Sequence, residues 1–297
     1  MTETRTYKIG GHSFALHCSI EMLSEKELQP YAPFRIESCI NEYKLFTLTL
    51  IENAEVLATK DPVSADLEDE NGKTTLFTHD DGSMTIYLTS VSGCQCCRIR
   101  ISNDYHTSEA WIGGTPSERR YALDTTLMFL YTFASAKLDT LLIHASTIKY
   151  EGKGYLFLGK SGTGKSTHSH LWIEHIVGSE LLNDDNPILR IVDGNVYVYG
   201  SPWSGKTNCY RNIRIPVGGI VRLQQAPFNS ISSLSGIKAY ATLLPSCSCM
   251  KWNHEMAEAI HSTISKIIER VPIYSLECLP NREAALLSFE TLRSDNE

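Results

Sequence analysis

The stretch Gly159-Lys160-Ser161-Gly162-Thr163-Gly164-Lys165-Ser166 constrains this chain more than any other, because it is a full G-x-x-x-x-G-K-[ST] pattern in the setting that pattern needs. Ahead of it, residues 154–158 are short, apolar and aromatic, which predicts a buried strand. After it, Leu171, Trp172, Ile176 and Val177 are spaced for a helix over residues 167–177 with one buried face, and Gly178 is a natural stop. In such a strand, loop and helix, glycines let successive backbone N–H groups turn toward one point, where the helix N-terminus adds partial positive charge. Phosphate is the ligand those donors suit. Residues 159–167, ending in Ser166 and Thr167, would then line the phosphates of a nucleotide, with Lys165 reaching the β/γ-phosphates and the Ser166 hydroxyl on Mg²⁺.

A chain of 297 residues has room for one large domain or two smaller ones. Its formal charge of −7 argues against bulk attraction to nucleic acid or an anionic membrane, so neither is expected as a partner. The first ten residues lack an apolar signal core, and no apolar run approaches the ~20 residues a membrane span needs, so a cytoplasmic location is expected. Cys94, Cys96 and Cys97, and later Cys247 and Cys249, form C-x-C patterns rather than the C-x₂₋₄-C of structural zinc sites. They read as reduced, mostly buried thiols.

From residue 6 to about 102 the pattern alternates with period two. Residues 45–51, 74–78, 84–88 and 97–101 read as strands, and Asp69-Glu70-Asn71-Gly72 and Asp80-Asp81-Gly82-Ser83 read as hairpin turns. Gly113, Gly114 and Pro116 mark a boundary. Residues 118–137 predict a helix buried on most sides, and 141–148 a strand that turns at 151–154 into the strand of the glycine-rich loop. Further on, strands are expected over 181–185, 188–192, 195–199, 218–223 and 273–279. Helices are expected over 251–270, with Trp252 and Met256 inward, and over 282–292.

Asp184-Asp185 ends one of those strands. Phosphoryl transfer needs a carboxylate near the metal and often one that accepts the nucleophile's proton. Neighbouring side chains on an extended strand point opposite ways, so both acids serve one site only if the strand stops there, as Asn186-Pro187 implies. A solvated acidic turn is the bland alternative. His144 lies inside an apolar strand and taken alone reads as a hydrogen-bonded core histidine, but the hairpin brings it alongside the loop strand. Gly200-Ser201-Pro202-Trp203-Ser204-Gly205-Lys206-Thr207 also fits G-x-x-x-x-G-K-[ST]. Pro202 lacks an N–H, Trp203 is bulky where backbone must come close, and residues 208–216 have no helical period, so it is rejected as a phosphate loop. It can instead be a substrate-side loop, with Lys206, Arg211 or Arg214 facing developing negative charge, or carry solvated cations. His254 and His261 do not have H-E-x-x-H spacing.

Taken together, His144-Ala145, the loop 159–167 and Asp184-Asp185, in this order and at these intervals, resemble the catalytic domain of the HPr serine kinase/phosphorylase family. The Ser-Gly-Thr-Gly-Lys-Ser-Thr run and the acid pair are also similar to the ATP-dependent phosphoenolpyruvate carboxykinases. The resemblance spans about residues 118–223. It implies that Lys165 holds phosphates, Ser166 holds the metal, Asp184 accepts the proton, Asp185 supports the metal side and His144 lies close to the transferred phosphate. HPr kinases carry a further acid in a Glu-Ile-Arg-Gly-x-Gly stretch, and the nearest match here, Arg214-Ile215-Pro216-Val217-Gly218-Gly219, has arginine in its place. The first hundred residues do not resemble the N-terminal domain of the bifunctional enzymes.

The expected architecture is therefore α/β. A kinase domain of the HPr kinase/phosphoenolpyruvate carboxykinase type, a mixed sheet flanked by helices over residues 118–297, follows a mostly antiparallel β domain over 1–117 that binds acceptor or partner. The expected activity is ATP- and Mg²⁺-dependent transfer to a hydroxyl, serine foremost, of a protein, peptide or small molecule, with self-association into a homo-oligomer left open. The carboxykinase alternative lacks a large substrate domain and a substrate-arginine motif. A nucleotide-binding regulatory module with little or no turnover is the competing expectation.

Overall fold

Alternating apolar and polar residues early in the chain do become strands. The computed structural model describes residues 2–19, 21–37, 43–52, 62–69, 71–205, 207–248 and 253–294. It divides into two compact units, Met1–Ser135 and Ala136–Glu297. The first contains β1 (Thr2–Ile9), β2 (His12–Ser19), α1 (Glu25–Leu28), β3 (Arg35–Ile36), β4 (Lys44–Leu50), β5 (Val63–Asp69), β6 (Gly72–Thr78), β7 (Met84–Ser90), β8 (Gln95–Ile101), β9 (Thr107–Ile112) and α2 (Pro116–Ser135). The strands form one sheet in the order β3-β1-β2-β4-β9-β8-β7-β6-β5.

That sheet is mostly antiparallel, as expected, but it is mixed at its centre. β4 runs parallel to both β2 and β9. The reason is the connection from β2 to β4, which carries α1 and β3 and is long enough to return the chain in the same direction, as a hairpin is not. The hairpins from β5 to β8 follow expectation, and Gly82 supplies the positive φ of 79° at the turn after β6. Cys96 and Cys97 are buried, which pushes their thiols up to about 11 and about 12 and keeps them protonated.

The boundary between units lies after Ser135, not before Glu118. Thr115 and Glu118 cap α2 reciprocally: the Thr115 N–H donates to Glu118 Oε2 at 2.8 Å and the Glu118 N–H to Thr115 Oγ1 at 3.4 Å. The helix then lies on β4, β8 and β9. The Tyr131 hydroxyl donates to the Ile9 carbonyl at 3.0 Å, and Thr126 Oγ1 lies 3.4 Å from Cys97 Sγ. A helix apolar on most sides packs on whichever sheet it meets, and here that is the preceding one.

The second unit contains β10 (Thr140–Leu142), β11 (Ala145–Tyr150), β12 (Lys153–Leu158), α3 (Lys165–His175), β13 (Glu180–Asp185), β14 (Ile188–Val192), β15 (Asn195–Tyr199), β16 (Arg214–Gln225), β17 (Ser230–Leu234), α4 (Gly236–Leu243), α5 (His254–Ile268), β18 (Ile273–Cys278) and α6 (Arg282–Ser294). Its sheet runs β10-β14-β15-β16-β12-β11-β13, with β18 added beside β16 and β17 beside β18. β12 and β18 are parallel to β16, and the other pairings are antiparallel. The chain is thus a mixed α/β protein with two large mixed sheets and, among the described residues, six α-helices. No helix among them is long and apolar enough to cross a membrane.

Two local expectations are corrected, and a third falls outside the described residues. The single strand over 141–148 is two: β10 pairs with β14, β11 pairs with β12 and β13, and the chain crosses between these partners at Ile143-His144. There Ile143 bridges to Cys247, and the His144 N–H donates to the Ser246 carbonyl at 2.7 Å. The helix after the glycine-rich loop starts at Lys165 and ends at His175, leaving Val177 exposed rather than inward. Trp252, expected to face inward, lies outside the described residues; α5 begins at His254 with the Asn253 side chain accepting from the Met256 N–H.

Gly218-Gly219 sits in mid-strand because two side chains occupy the space. An added Cβ would lie 2.6 Å from the Tyr155 ring at Gly218 and 2.3 Å from Leu292 at Gly219. Beneath the sheet, Trp172 of α3 is fully buried against Tyr155, Phe157 and Phe289, with ring centroids at 5.4, 5.4 and 5.7 Å. This cluster fixes α3, and with it the loop at its N-terminus.

Candidate active site

Strand register decides what meets at this end of the second sheet. Ala145 pairs with both Leu158 and Asp185, and Ser146 pairs with Asp184. The first residues of β11, the last of β12 and the last of β13 therefore lie side by side. His144, the glycine-rich loop and the two acids converge because an antiparallel strand must begin where its neighbours end.

The loop leaves β12 at Gly159 and enters α3 at Lys165. Gly162 and Gly164 hold φ of 78° and 108°; an added Cβ would meet nothing at either, so backbone conformation rather than space demands glycine there. Thr163 packs under Gly159, and its N–H donates to the Lys160 carbonyl at 3.1 Å, closing the turn over Ser161. Gly164 is the N-cap of α3 and offers no side-chain oxygen to the first-turn amides. Lys165 Nζ bends back to donate to the carbonyls of Gly159 at 3.0 Å and Lys160 at 3.4 Å. Burial holds its pKa below the ordinary lysine value, against the opposing charges of Asp185 and Asp184. The Ser166 carbonyl accepts from His170 at 2.6 Å, and Thr167 lies on the wall of a cleft described below.

The two acids differ in their surroundings. Asp184 is 7% exposed. Its Oδ1 accepts from Ser146 Oγ at 2.8 Å, and its Oδ2 from Thr207 Oγ1 at 2.9 Å. Ser146 in turn lies 2.7 Å from Ser169 of α3, so Asp184 faces that helix. Asp185, the last residue of β13, is half-buried; its Oδ1 is 3.3 Å from His144 Nε2 and its Oδ2 accepts from Asn186 Nδ2 at 2.8 Å. Thr207 and Ser146 were not singled out from sequence as partners of Asp184. A threonine closing a rejected motif and a serine in a strand carry no signal without the fold.

The second G-x-x-x-x-G-K-[ST] match lies against the acid pair. Asn186 N–H donates to the Trp203 carbonyl at 3.1 Å, and Ser201 Oγ to the Asn186 carbonyl at 2.6 Å. Lys206 lies outside the described residues. Arg211 pairs with Glu180 at 2.7 Å, and Arg214 stacks over the Tyr197 ring at 3.8 Å. Both cations thus have partners in the sheet's own architecture. Among the described residues no three His, Cys, Asp or Glu side chains gather as a metal-binding set. Ser166 carries a hydroxyl and Asp185 a carboxylate, the oxygen-donor types that Mg²⁺ takes beside phosphates and water.

A cleft of about 720 Å³ opens beside the loop. Gly162, Thr163 and Thr167 form one wall, and Leu171, Leu223 and Pro227 are among the apolar residues of the others. Gln225 closes one end by donating to the Gly162 carbonyl at 3.3 Å. His168 also lines it, 3% exposed against Phe157 and 3.0 Å from Ser288 Oγ, and burial pushes its pKa from 6.5 down to about 4. The unfolded chain binds a proton there near pH 6.5 and the folded chain only near 4. Stability is therefore full above 6.5 and is lost as pH falls toward 4, by about 3 kcal/mol in all. Urea unfolding across that window should show this loss in the native protein. A smaller loss is expected in His168→Gln, and equal slopes would mean that His168 is not the group responsible.

No protein-family model matches the sequence, and no curated protein matches it. Among solved structures it is similar to the HPr(Ser) kinase/phosphatase from Coxiella burnetii, at 15% identity and a TM-score of 0.30, over 52% of this chain and 95% of that one. So slight a likeness carries no functional argument.

Proposed function

We propose that this chain is an ATP-dependent kinase that transfers the γ-phosphate to a hydroxyl, serine foremost, of a protein, peptide or small molecule, in the manner of the HPr serine kinases. One observation carries it: the strand that leads into the glycine-rich loop and the strand that ends in a buried carboxylate flank the same strand, Lys165 opens the helix after that loop, and the carboxylate's two oxygens each accept from a hydroxyl. Lys165 and the loop amides hold and align the phosphates, and the adjoining apolar cleft takes the base and ribose. Asp184 receives the proton of the acceptor hydroxyl, and Asp185 and Ser166 hold Mg²⁺, which when bound neutralises charge on the phosphate oxygens. His144 orients Asp185. The first unit, which has no such phosphate pattern, is assigned to acceptor or partner binding.

A regulatory nucleotide-binding module with little turnover is the second reading, and the arginine at 214 in place of an acid favours it. Calorimetry with ATP and Mg²⁺ tests the part both share. Lys165→Ala should weaken binding about 10- to 100-fold, the value of a lost charge-assisted hydrogen bond of roughly 1.5–3 kcal/mol. Unchanged affinity would remove the loop assignment. Radiolabelled ATP then separates the two: label moves to a seryl acceptor in an extract for the kinase, or stays as bound nucleotide for the module.

A further inference from the structure

Asp184 meets two hydroxyls of unlike character. Ser146 is 1% exposed, near the start of β11, and lies 2.7 Å from Ser169 Oγ. Thr207 is half-buried on a surface loop, near exposed Gly205 and exposed Asn208. That loop is fitted to the acid corner. Ser204 Oγ donates to the Thr207 carbonyl at 2.6 Å, and Gly205 passes so near that an added Cβ would lie 2.9 Å from the Asp184 carbonyl oxygen. A general base works only on a hydroxyl within about 2.6–3.2 Å, and Thr207 Oγ1 stands 2.9 Å from Asp184 Oδ2. The chain's own threonine thus fills the place that the kinase reading gives to an acceptor hydroxyl, at the end of the sheet where the glycine-rich loop leaves β12.

We propose that Thr207 is a phosphorylation site of this protein, modified in cis by the γ-phosphate of ATP held at the glycine-rich loop. The inference rests on the kinase reading above and names its first acceptor. Asp184 Oδ2 takes the proton from Thr207 Oγ1, an Oγ1–P bond forms, and the bond from the γ-phosphorus to the bridging oxygen breaks as ADP leaves. No redox partner is involved. The product carries a charge of about −1.5 to −2 beside Asp184 and Asp185, so repulsion drives it off the corner and clears the base for an outside hydroxyl.

The test uses the full chain with radiolabelled ATP and Mg²⁺, peptide mapping by mass spectrometry, and parallel calorimetry. Label is expected on Thr207 at a rate independent of protein concentration. Thr207→Ser should take label at the same position, Thr207→Val should take none there, and Asp184→Asn should slow labelling at least about 10²-fold. ATP binding without label at position 207, in native protein or in Thr207→Ser, overturns the proposal while leaving the nucleotide site standing. Labelling that accelerates with protein concentration overturns the cis step. Absence of ATP binding overturns both this proposal and the kinase reading beneath it.

Discussion

Asp184→Asn is expected to bind ATP as well as the native protein and to transfer phosphate about 10²- to 10⁴-fold more slowly, the range for loss of a general base. Asparagine keeps the shape of the side chain and one acceptor oxygen. The hydroxyl that faces the new NH₂ group, on Ser146 or Thr207, can rotate to accept from it, so the corner stays satisfied. What is lost is proton acceptance. Asp185→Asn should differ, because its carboxylate meets His144 and Asn186 and its proposed work is at the metal. The transfer rate titrated with Mg²⁺ in both variants decides it. A raised Mg²⁺ requirement is expected for Asp185→Asn alone, and matching profiles, or full transfer in Asp184→Asn, would remove the division of roles.

The loop and the acids were legible in the sequence because each is local. Glycines at 162 and 164 announce positive φ, and Asn186-Pro187 announces the end of a strand. What brings them together is pairing register, and register becomes visible only when the partners are known. His144 shows the limit. Within an apolar run it reads as mid-strand, yet it sits where the chain leaves β14 for β12, because no residue in 141–148 signals a change of neighbours. The extent of the first unit was hidden for a similar reason. α2 is apolar on most sides, and its periodicity does not say which sheet it will cover. The glycines at 218 and 219 look like a motif and are required by Tyr155 and Leu292.

Trp172→Ala is expected to destabilise the second unit by about 3–5 kcal/mol, the usual cost of truncating a large buried aromatic. Net stabilities of roughly 5–15 kcal/mol leave little after such a loss. Trp172 is fully buried among Tyr155, Phe157 and Phe289, and its indole N–H donates to Ser288 Oγ at 2.9 Å, the same hydroxyl that meets His168. Alanine leaves a cavity between α3, α6 and the sheet, whereas Trp172→Phe keeps most of the aromatic contact and should cost markedly less. Because α3 carries Lys165 at its first turn, loosening the helix also loosens the groups aimed at the phosphates, and ATP affinity should fall in the alanine variant without any change in the loop itself. Urea unfolding and calorimetry on the two variants check both expectations. Equal stability for alanine and phenylalanine would mean that the aromatic cluster does not hold α3. Lost stability with unchanged ATP affinity would mean that the loop is held from β12 alone.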